Sequence, residues 1–134
     1  MDNRKDWLAQ LPDTITLKKI YTKNMTEPVR QLSPNTYIVL MTQGHSFDFP
    51  ILLEVLKTRQ APFLGVIGSR QKALVLKKEL KKAGIEPKIC ESFYCPLGLP
   101  IGDNVPEEIA ISIAAQLLQV RGTCRKRLRD PNVL

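Results

Sequence analysis

Two continuous apolar segments constrain the fold of this chain more than any other feature. They are Tyr37–Met41 and Pro62–Ile67, and each precedes a stretch with helical periodicity. Neither segment shows the regular alternation that a strand with one solvent-facing side requires. Strands of this kind that alternate with helices indicate right-handed βαβ crossovers and a parallel sheet covered on both faces. The sequence therefore predicts an α/β fold with three layers, helix on sheet on helix.

Two weaker segments, Ile15–Tyr21 and Ile89–Cys95, extend the expected sheet to about four strands, mostly parallel. Helices are expected from Phe47 to Arg59, from Ser69 to Ala83, and from Asn104 to about Arg121. Caps, first-turn prolines and a terminal glycine mark their ends. The sequence thus predicts one domain over residues 1–121 and a basic tail over residues 122–134.

The last of these helices carries apolar side chains on two faces. Ile109, Ile113, Leu117 and Val120 form one face, and Ile111, Ala115 and Leu118 form the other. One face is expected to cover the sheet. The other needs a second partner, which is either a further helix or a second copy of the chain.

The chain is basic, with 20 Lys and Arg against 13 Asp and Glu and a formal net charge of +7. The excess positive charge lies in the predicted helix after Ser69 and in the tail. Such clusters bind nucleic acid, an anionic cofactor or an acidic partner protein, or they form a solvated surface. Only 6% of the residues are aromatic, and none alternates with the basic residues, which argues against nucleic acid as the partner. No membrane span or signal peptide is expected, and the predicted location is cytoplasmic.

Known catalytic and metal-binding patterns are missing from the sequence. There is no Ser-His-Asp order, Gly-x-Ser-x-Gly elbow, Walker A loop or Gly-x-Gly-x-x-Gly motif. Cys90, Cys95 and Cys124 are spaced for neither a disulfide nor a metal site, and we interpret them as reduced thiols. We therefore assign no catalytic residue and no metal, and favour a binding or accessory role over an enzyme.

Three strand-to-helix turns are expected to meet at the carboxyl end of the sheet, where ligands of open α/β sheets bind. They span residues 41–48, 68–70 and 96–104. In the second turn, Gly68 permits a close approach, Ser69 is a good N-cap, and Arg70 can hold an anion beside the free N–H groups of the helix. A tight turn with a solvated arginine is the simpler interpretation.

Two side chains in the first turn have alternative roles. His45, the only histidine, is either a ligand contact or proton carrier, or a helix cap or surface residue. Asp48 either orients that imidazole or caps the following helix, and capping is favoured.

The order and spacing of four segments resemble a known family. They are Tyr37–Asp48, Phe63–Ala73, Cys95–Gly102 and Pro106–Arg121. Together they resemble the C-terminal Rossmann-like domain of the xanthine dehydrogenase accessory factors, the XdhC/CoxI family, over roughly residues 15 to 121. The resemblance implies a Rossmann-like fold.

It also implies a role in handling cofactor. Proteins of this family are thought to bind molybdenum cofactor (molybdopterin), protect it during sulfuration and help to load it into xanthine dehydrogenase-type enzymes. By similarity, the residues placed around the crevice are Thr42, His45, Asp48, Gly68, Ser69, Arg70, Gly98 and Gly102. The alternatives are a nucleotide-dependent oxidoreductase that binds NAD(P) and uses His45 as acid and base, a basic nucleic-acid-binding protein, and a paralogue that keeps only its interaction surfaces.

The sequence departs from the family pattern in three places. The usual Thr-His-Asp-His is Thr-Gln-Gly-His at residues 42–45, and neither the Gly-x-Gly turn nor the Cys-containing N-terminal domain is present in these 134 residues. Without the first strand of the doubly wound order, the strand Tyr37–Met41 would expose an apolar edge. Either Ile15–Tyr21 or a second subunit is expected to cover that edge, and we predict a homodimer.

Overall fold

The computed structural model describes the backbone of residues 1–129 and the side chains of residues 1–125. Its elements, in chain order, are α1 (Lys5–Ala9), α2 (Thr26–Arg30), β1 (Tyr37–Leu40), α3 (His45–Thr58), β2 (Phe63–Val66), α4 (Arg70–Lys82), α5 (Pro87–Cys90) and α6 (Pro106–Arg129).

The two apolar segments form the parallel pair that the sequence predicts. β1 and β2 lie side by side, with Tyr37 opposite Phe63 and Leu40 opposite Val66. Tyr94 adds a single parallel bridge on the other side of β2: the Val66 N–H donates to its carbonyl at 2.8 Å, and its own N–H donates to the Leu64 carbonyl at 2.9 Å. The α/β class with a small parallel sheet is confirmed.

The expected number of strands is wrong. Only two strands lie within residues 1–129, instead of about four. Ile15–Tyr21 contributes one isolated bridge, between Tyr21 and Asp2, because its loose alternation and paired lysines provide no continuous face to bury. The start of the expected strand Ile89–Cys95 is instead helical. Helix α5 begins at Pro87, because the fixed φ of proline suits a first helical turn, and it ends at Cys90.

Side chains alternate between two hydrophobic cores on the faces of this sheet. On one face, Ile38, Leu40, Leu64 and Val66 pack with α3 and α4. On the other, Tyr37, Val39 and Phe63 pack with α6 through Ile109, Ile113, Leu117 and Val120. The three-layer arrangement is therefore confirmed, and among the described side chains no core forms on the second face of α6.

Gly65 lies in the middle of β2, and the segment that contains Leu97 approaches it on the face of the sheet that α6 covers. A Cβ atom at this position would collide with the Leu97 side chain. The glycine therefore lets residues 94–97 lie directly against the sheet.

Local signals set both ends of α4, whereas other predicted helix ends differ from the structure. Ser69 caps α4 by accepting a hydrogen bond from the Lys72 N–H at 3.2 Å, and Gly84 follows α4 with φ of 84°, both as predicted. The predicted end of the last helix at about Arg121 is wrong, because α6 continues to Arg129. Gly122 lowers helix propensity but does not stop a helix. Residues 130–134 of the predicted tail lie outside the described residues, so the division into domain and tail stays a prediction.

The outer edge of β1 pairs with no residue in the described part of the chain, and Ile15–Tyr21 does not cover it as one expectation required. A cavity of about 380 Å³ follows this edge, between β1 and residues 1–4 together with the α2 segment. The edge identified from the sequence is thus flanked by other parts of the chain without being paired by them.

Candidate functional site

A buried carboxylate joins the carboxyl ends of both strands to the two helices that follow them. Asp48 is fully buried. The Thr42 hydroxyl donates to Asp48 Oδ1 at 2.6 Å, and Lys72 Nζ donates to Asp48 Oδ2 at 2.5 Å. Lys72 Nζ also donates to the Ile67 carbonyl at 2.8 Å. Because a buried charge is stable only when it is paired, this network ties α3 and α4 together at the sheet edge.

Neither predicted role of Asp48 is correct. Its side chain does not cap α3, which begins after Gly44 without a side-chain cap, and it makes no hydrogen bond to His45. Its backbone N–H instead donates to the Gly44 carbonyl at 3.0 Å. The carboxylate lies in the first turn of α3, where the helix dipole favours a negative charge. Its oxygens accept hydrogen bonds from Thr42 and Lys72.

Lys72 is a residue of this site that sequence reasoning missed. The helical pattern groups it with the solvated lysines of α4, but its side chain is only 21% exposed. Its contact with Gly68 is visible only in the structure, where a Cβ atom at Gly68, four residues before Lys72, would collide with the Lys72 side chain. The ammonium group has three N–H donors, and Asp48 and Ile67 use two of them. The third donor has no partner among the residues that the structure describes.

The turn before α4 presents further donors at the same edge. The Arg70 and Gln71 N–H groups have no hydrogen-bond partner within the described chain, as expected for a first helical turn. Arg70 is exposed and forms no ion pair with any residue that the structure describes. Gly68, Ser69 and Lys72 lie together at this turn: the Lys72 N–H donates to the Ser69 hydroxyl, and a Cβ atom on Gly68 would collide with the Lys72 side chain.

Cys95 is a second residue at this edge that sequence reasoning did not place there. Its thiol donates to the Ser69 carbonyl at 3.9 Å. Burial raises the pKa of the Cys95 thiol; Lys72 lowers it and Asp48 raises it by smaller amounts. The group is therefore a neutral thiol at pH 7 rather than a nucleophilic thiolate.

This raised pKa gives a measurable result. Alkylation of Cys95 by iodoacetamide at pH 8 is expected to be slower in the folded protein than in protein unfolded by denaturant, because less thiolate is present at a given pH when the pKa is higher. Mass spectrometry of Cys95 peptides after timed quenching measures both rates, with Cys124, which is exposed, as the accessible control. Equal rates at Cys95 in the two states would contradict the burial argument.

His45 lies at the first position of α3 but is held by α4. Its Nε2 is 2.7 Å from Glu79 Oε2, and its ring stacks on Phe49 with 6.0 Å between centroids. His45 and Glu79 are both partly exposed. The imidazole thus takes part in a contact between α3 and α4 that does not include Asp48.

The two remaining predicted residues lie against α6. The Gly98 N–H donates to Gln116 Oε1 at 2.8 Å, and a Cβ atom on Gly98 would collide with the Ser112 hydroxyl. Gly102 has φ of 73° and lies against Glu108, which accepts a hydrogen bond from the Asp103 N–H. Packing on α6 accounts for both glycines. Of the predicted set, Thr42, Asp48, Gly68 and Ser69 are brought together around Lys72.

Neither a metal centre nor a membrane-spanning helix is found in the described part of the chain. Among those residues, no three His, Cys, Asp or Glu side chains are arranged to hold a metal ion. Within residues 1–129, no helix is both long enough and apolar enough to cross a membrane.

Known proteins are similar to this chain in sequence and in fold. It is 26% identical over 110 residues to the uncharacterized protein YqeB of Escherichia coli (strain K12), a match that covers 82% of this chain and 20% of that protein. It is 32% identical over 91 residues to a probable xanthine dehydrogenase subunit of Bacillus subtilis (strain 168), a match that covers 68% of this chain and 25% of that protein.

A crystal structure of a xanthine dehydrogenase from Bacillus halodurans matches with a TM-score of 0.59 at 27% sequence identity, over 77% of this chain and 29% of that one. The chain thus spans between a fifth and under a third of the length of these relatives. The family model described as the XdhC Rossmann domain matches residues 1–117. The resemblance found in the motifs is therefore confirmed, and this chain belongs to the XdhC Rossmann domain family.

Proposed function

We propose that this protein is an accessory module of molybdoenzyme maturation that holds an anionic cofactor at the carboxyl edge of its sheet. Membership in the XdhC family and the xanthine dehydrogenase name of one relative support the accessory role. One observation carries the binding proposal: within the described part of the chain, one Lys72 Nζ donor and the Arg70 and Gln71 N–H groups at the start of α4 have no hydrogen-bond partner.

The donors at this edge fit an anionic oxygen group. Lys72 and Arg70 supply positive charge, and the Arg70 and Gln71 N–H groups supply hydrogen bonds in the favourable field of the helix dipole. Molybdenum cofactor carries phosphate and oxo groups of this kind, and when bound it would supply the redox chemistry of the client enzyme. In this proposal Arg70, Lys72 and the Ser69 hydroxyl hold the cofactor, and Thr42 and Asp48 position Lys72.

The proposed client is a xanthine dehydrogenase-type molybdoenzyme, and the proposed working form is a homodimer. Lys78, Lys81 and Lys82 are exposed on α4 and form no ion pair within the described chain, whereas Lys77 pairs with Glu91. An acidic surface on the client would complement these three lysines.

The nucleotide-dependent oxidoreductase is less well supported. It requires His45 to exchange protons with a substrate, but the Nε2 atom of His45 is hydrogen-bonded to Glu79. No other imidazole is present in the chain. A binding role needs no such group.

The test measures which cofactor the purified protein contains. Protein isolated anaerobically from a host that makes molybdenum cofactor would be oxidised with iodine, and the fluorescent pterin product and the metal would be quantified together with bound nucleotide. Near-stoichiometric pterin is the expected result. Pterin absent from well-folded protein, or nucleotide in its place, would overturn the cofactor part of the proposal.

Exchanging Arg70 for glutamate is expected to abolish pterin retention with little effect on stability. The change reverses a charge at the proposed anion site, while a glutamate in the first helical turn is compatible with the helix dipole. Lys78→Glu is the matched control, because it makes the same charge change at an exposed position of the same helix. Pterin content per chain and thermal unfolding would be measured for both. Unchanged pterin in the Arg70→Glu variant would remove Arg70 from the site.

A further inference from the structure

Helix α6 exposes an apolar stripe on the side that faces away from the sheet. Ile111 is 63% exposed and Leu118 is 54% exposed. At 100° per residue, they share one side of the helix with Ala114, Ala115 and Gly122, and we call these five residues the outward stripe. The residues that pack on the sheet project from the opposite side. The amphipathic pattern that buries one face of α6 thus leaves a second apolar face unused.

The backbone of α6 also continues well past Val120. Among the side chains of residues 1–125, Val120 is the last α6 residue that packs against the core, and the helix backbone runs on to Arg129. These nine further residues add about 13 Å at 1.5 Å per residue. A partner along α6 would cover the stripe, which reaches Gly122 inside this continuation of the helix.

Charges at the two ends of the stripe are complementary between two copies of the chain. Glu107 at the start of α6 and Arg125 near its end lie on the same side of the helix as Ile111. If a second α6 packs in the antiparallel direction with its midpoint near Ala115, Glu107 lies within one helical turn of the partner's Arg125. The same pair forms again at the other end. A parallel arrangement would instead bring like charges together at both ends.

We propose that the outward stripe is the surface through which two copies of this chain pair, with their α6 helices antiparallel. This inference deepens the homodimer of the proposed function and does not depend on the cofactor. An antiparallel pair is related by a two-fold axis, so the same patch serves both copies and the assembly closes at two. The small side chains of Ala115 and Gly122 allow the helices to approach, and Ile111 packs near the partner's Leu118.

Disulfide cross-linking tests this geometry directly. Ala115→Cys, made with Cys124→Ser to remove the exposed native thiol, places two cysteines beside the two-fold axis. Mild oxidation is expected to convert most of this protein to a covalent dimer. Ala110→Cys in the same background is the matched control, because Ala110 is exposed on a different side of α6 and is expected to remain monomeric on a denaturing gel.

Light scattering separates failure of this surface from failure of the homodimer. The wild type at tens of micromolar is expected at twice the chain mass, and the Ile111→Glu, Leu118→Glu double variant at the chain mass with unchanged helical content. Glu107→Arg is expected to weaken the dimer, and adding Arg125→Glu to restore it. A wild-type dimer that is not cross-linked through Ala115→Cys would overturn the α6 surface alone. A monomeric wild type would overturn the homodimer too, whatever the pterin content.

Discussion

Replacing Lys72 with methionine is expected to lower the free energy of unfolding by about 3–5 kcal/mol, the usual cost of breaking a buried ion pair from one side. Methionine keeps the length of the side chain but leaves the fully buried Asp48 carboxylate with only the Thr42 hydroxyl as a side-chain donor. Denaturant unfolding at pH 7, followed by far-UV circular dichroism, measures the change.

Lys77→Met is the matched control for this loss. Lys77 is on the same helix and pairs with Glu91, but Glu91 is 58% exposed. Exposed ion pairs contribute about 0–1 kcal/mol, so a small loss is expected. Adding Asp48→Asn to Lys72→Met is expected to recover part of the stability, because it removes the unpaired charge. If Lys72→Met and Lys77→Met cost the same, the Asp48–Lys72 pair is not buried as the structure places it.

Replacing Leu76 with alanine is expected to cost about 2–5 kcal/mol, the range for deleting a large buried aliphatic side chain. Leu76 is fully buried in the core between the sheet and the helices α3 and α4. Truncation removes apolar contacts and leaves a cavity that neighbouring side chains fill only in part. The measurement is the same denaturant titration, with the slope m checked for a change in the unfolded state.

Leu74→Ala provides the control, since it is the same substitution two residues away on the same helix. Leu74 is 63% exposed. Surface substitutions of this kind usually change stability by less than about 0.5 kcal/mol, and alanine is a good helix former. A loss at Leu74 as large as that at Leu76 would mean that the outer side of α4 is covered in solution.

Ser69 and Gly84 show which parts of the fold could be predicted. Each acts on backbone groups within a few residues of itself, so the local sequence was enough to place both ends of α4. The apolar composition of β1 and β2 likewise indicated burial on both faces, and the three layers followed. Ile15–Tyr21 failed as a strand because its pattern was weak and pairing depends on distant partners.

For the candidate site, the sequence predicted the location but not the side-chain pairs. Its location at the carboxyl edge follows from the parallel order of strands and helices, which periodicity alone reveals. Its chemistry depends on pairs that are distant in the chain: Asp48 and Lys72 are 24 residues apart, and His45 and Glu79 are 34 apart. Short-range rules favoured a cap for Asp48 and left Lys72 in a basic cluster without a specific partner. Packing of α3 and α4 on the sheet brings these side chains together, because a buried charge must take whichever partner the surrounding elements place within reach.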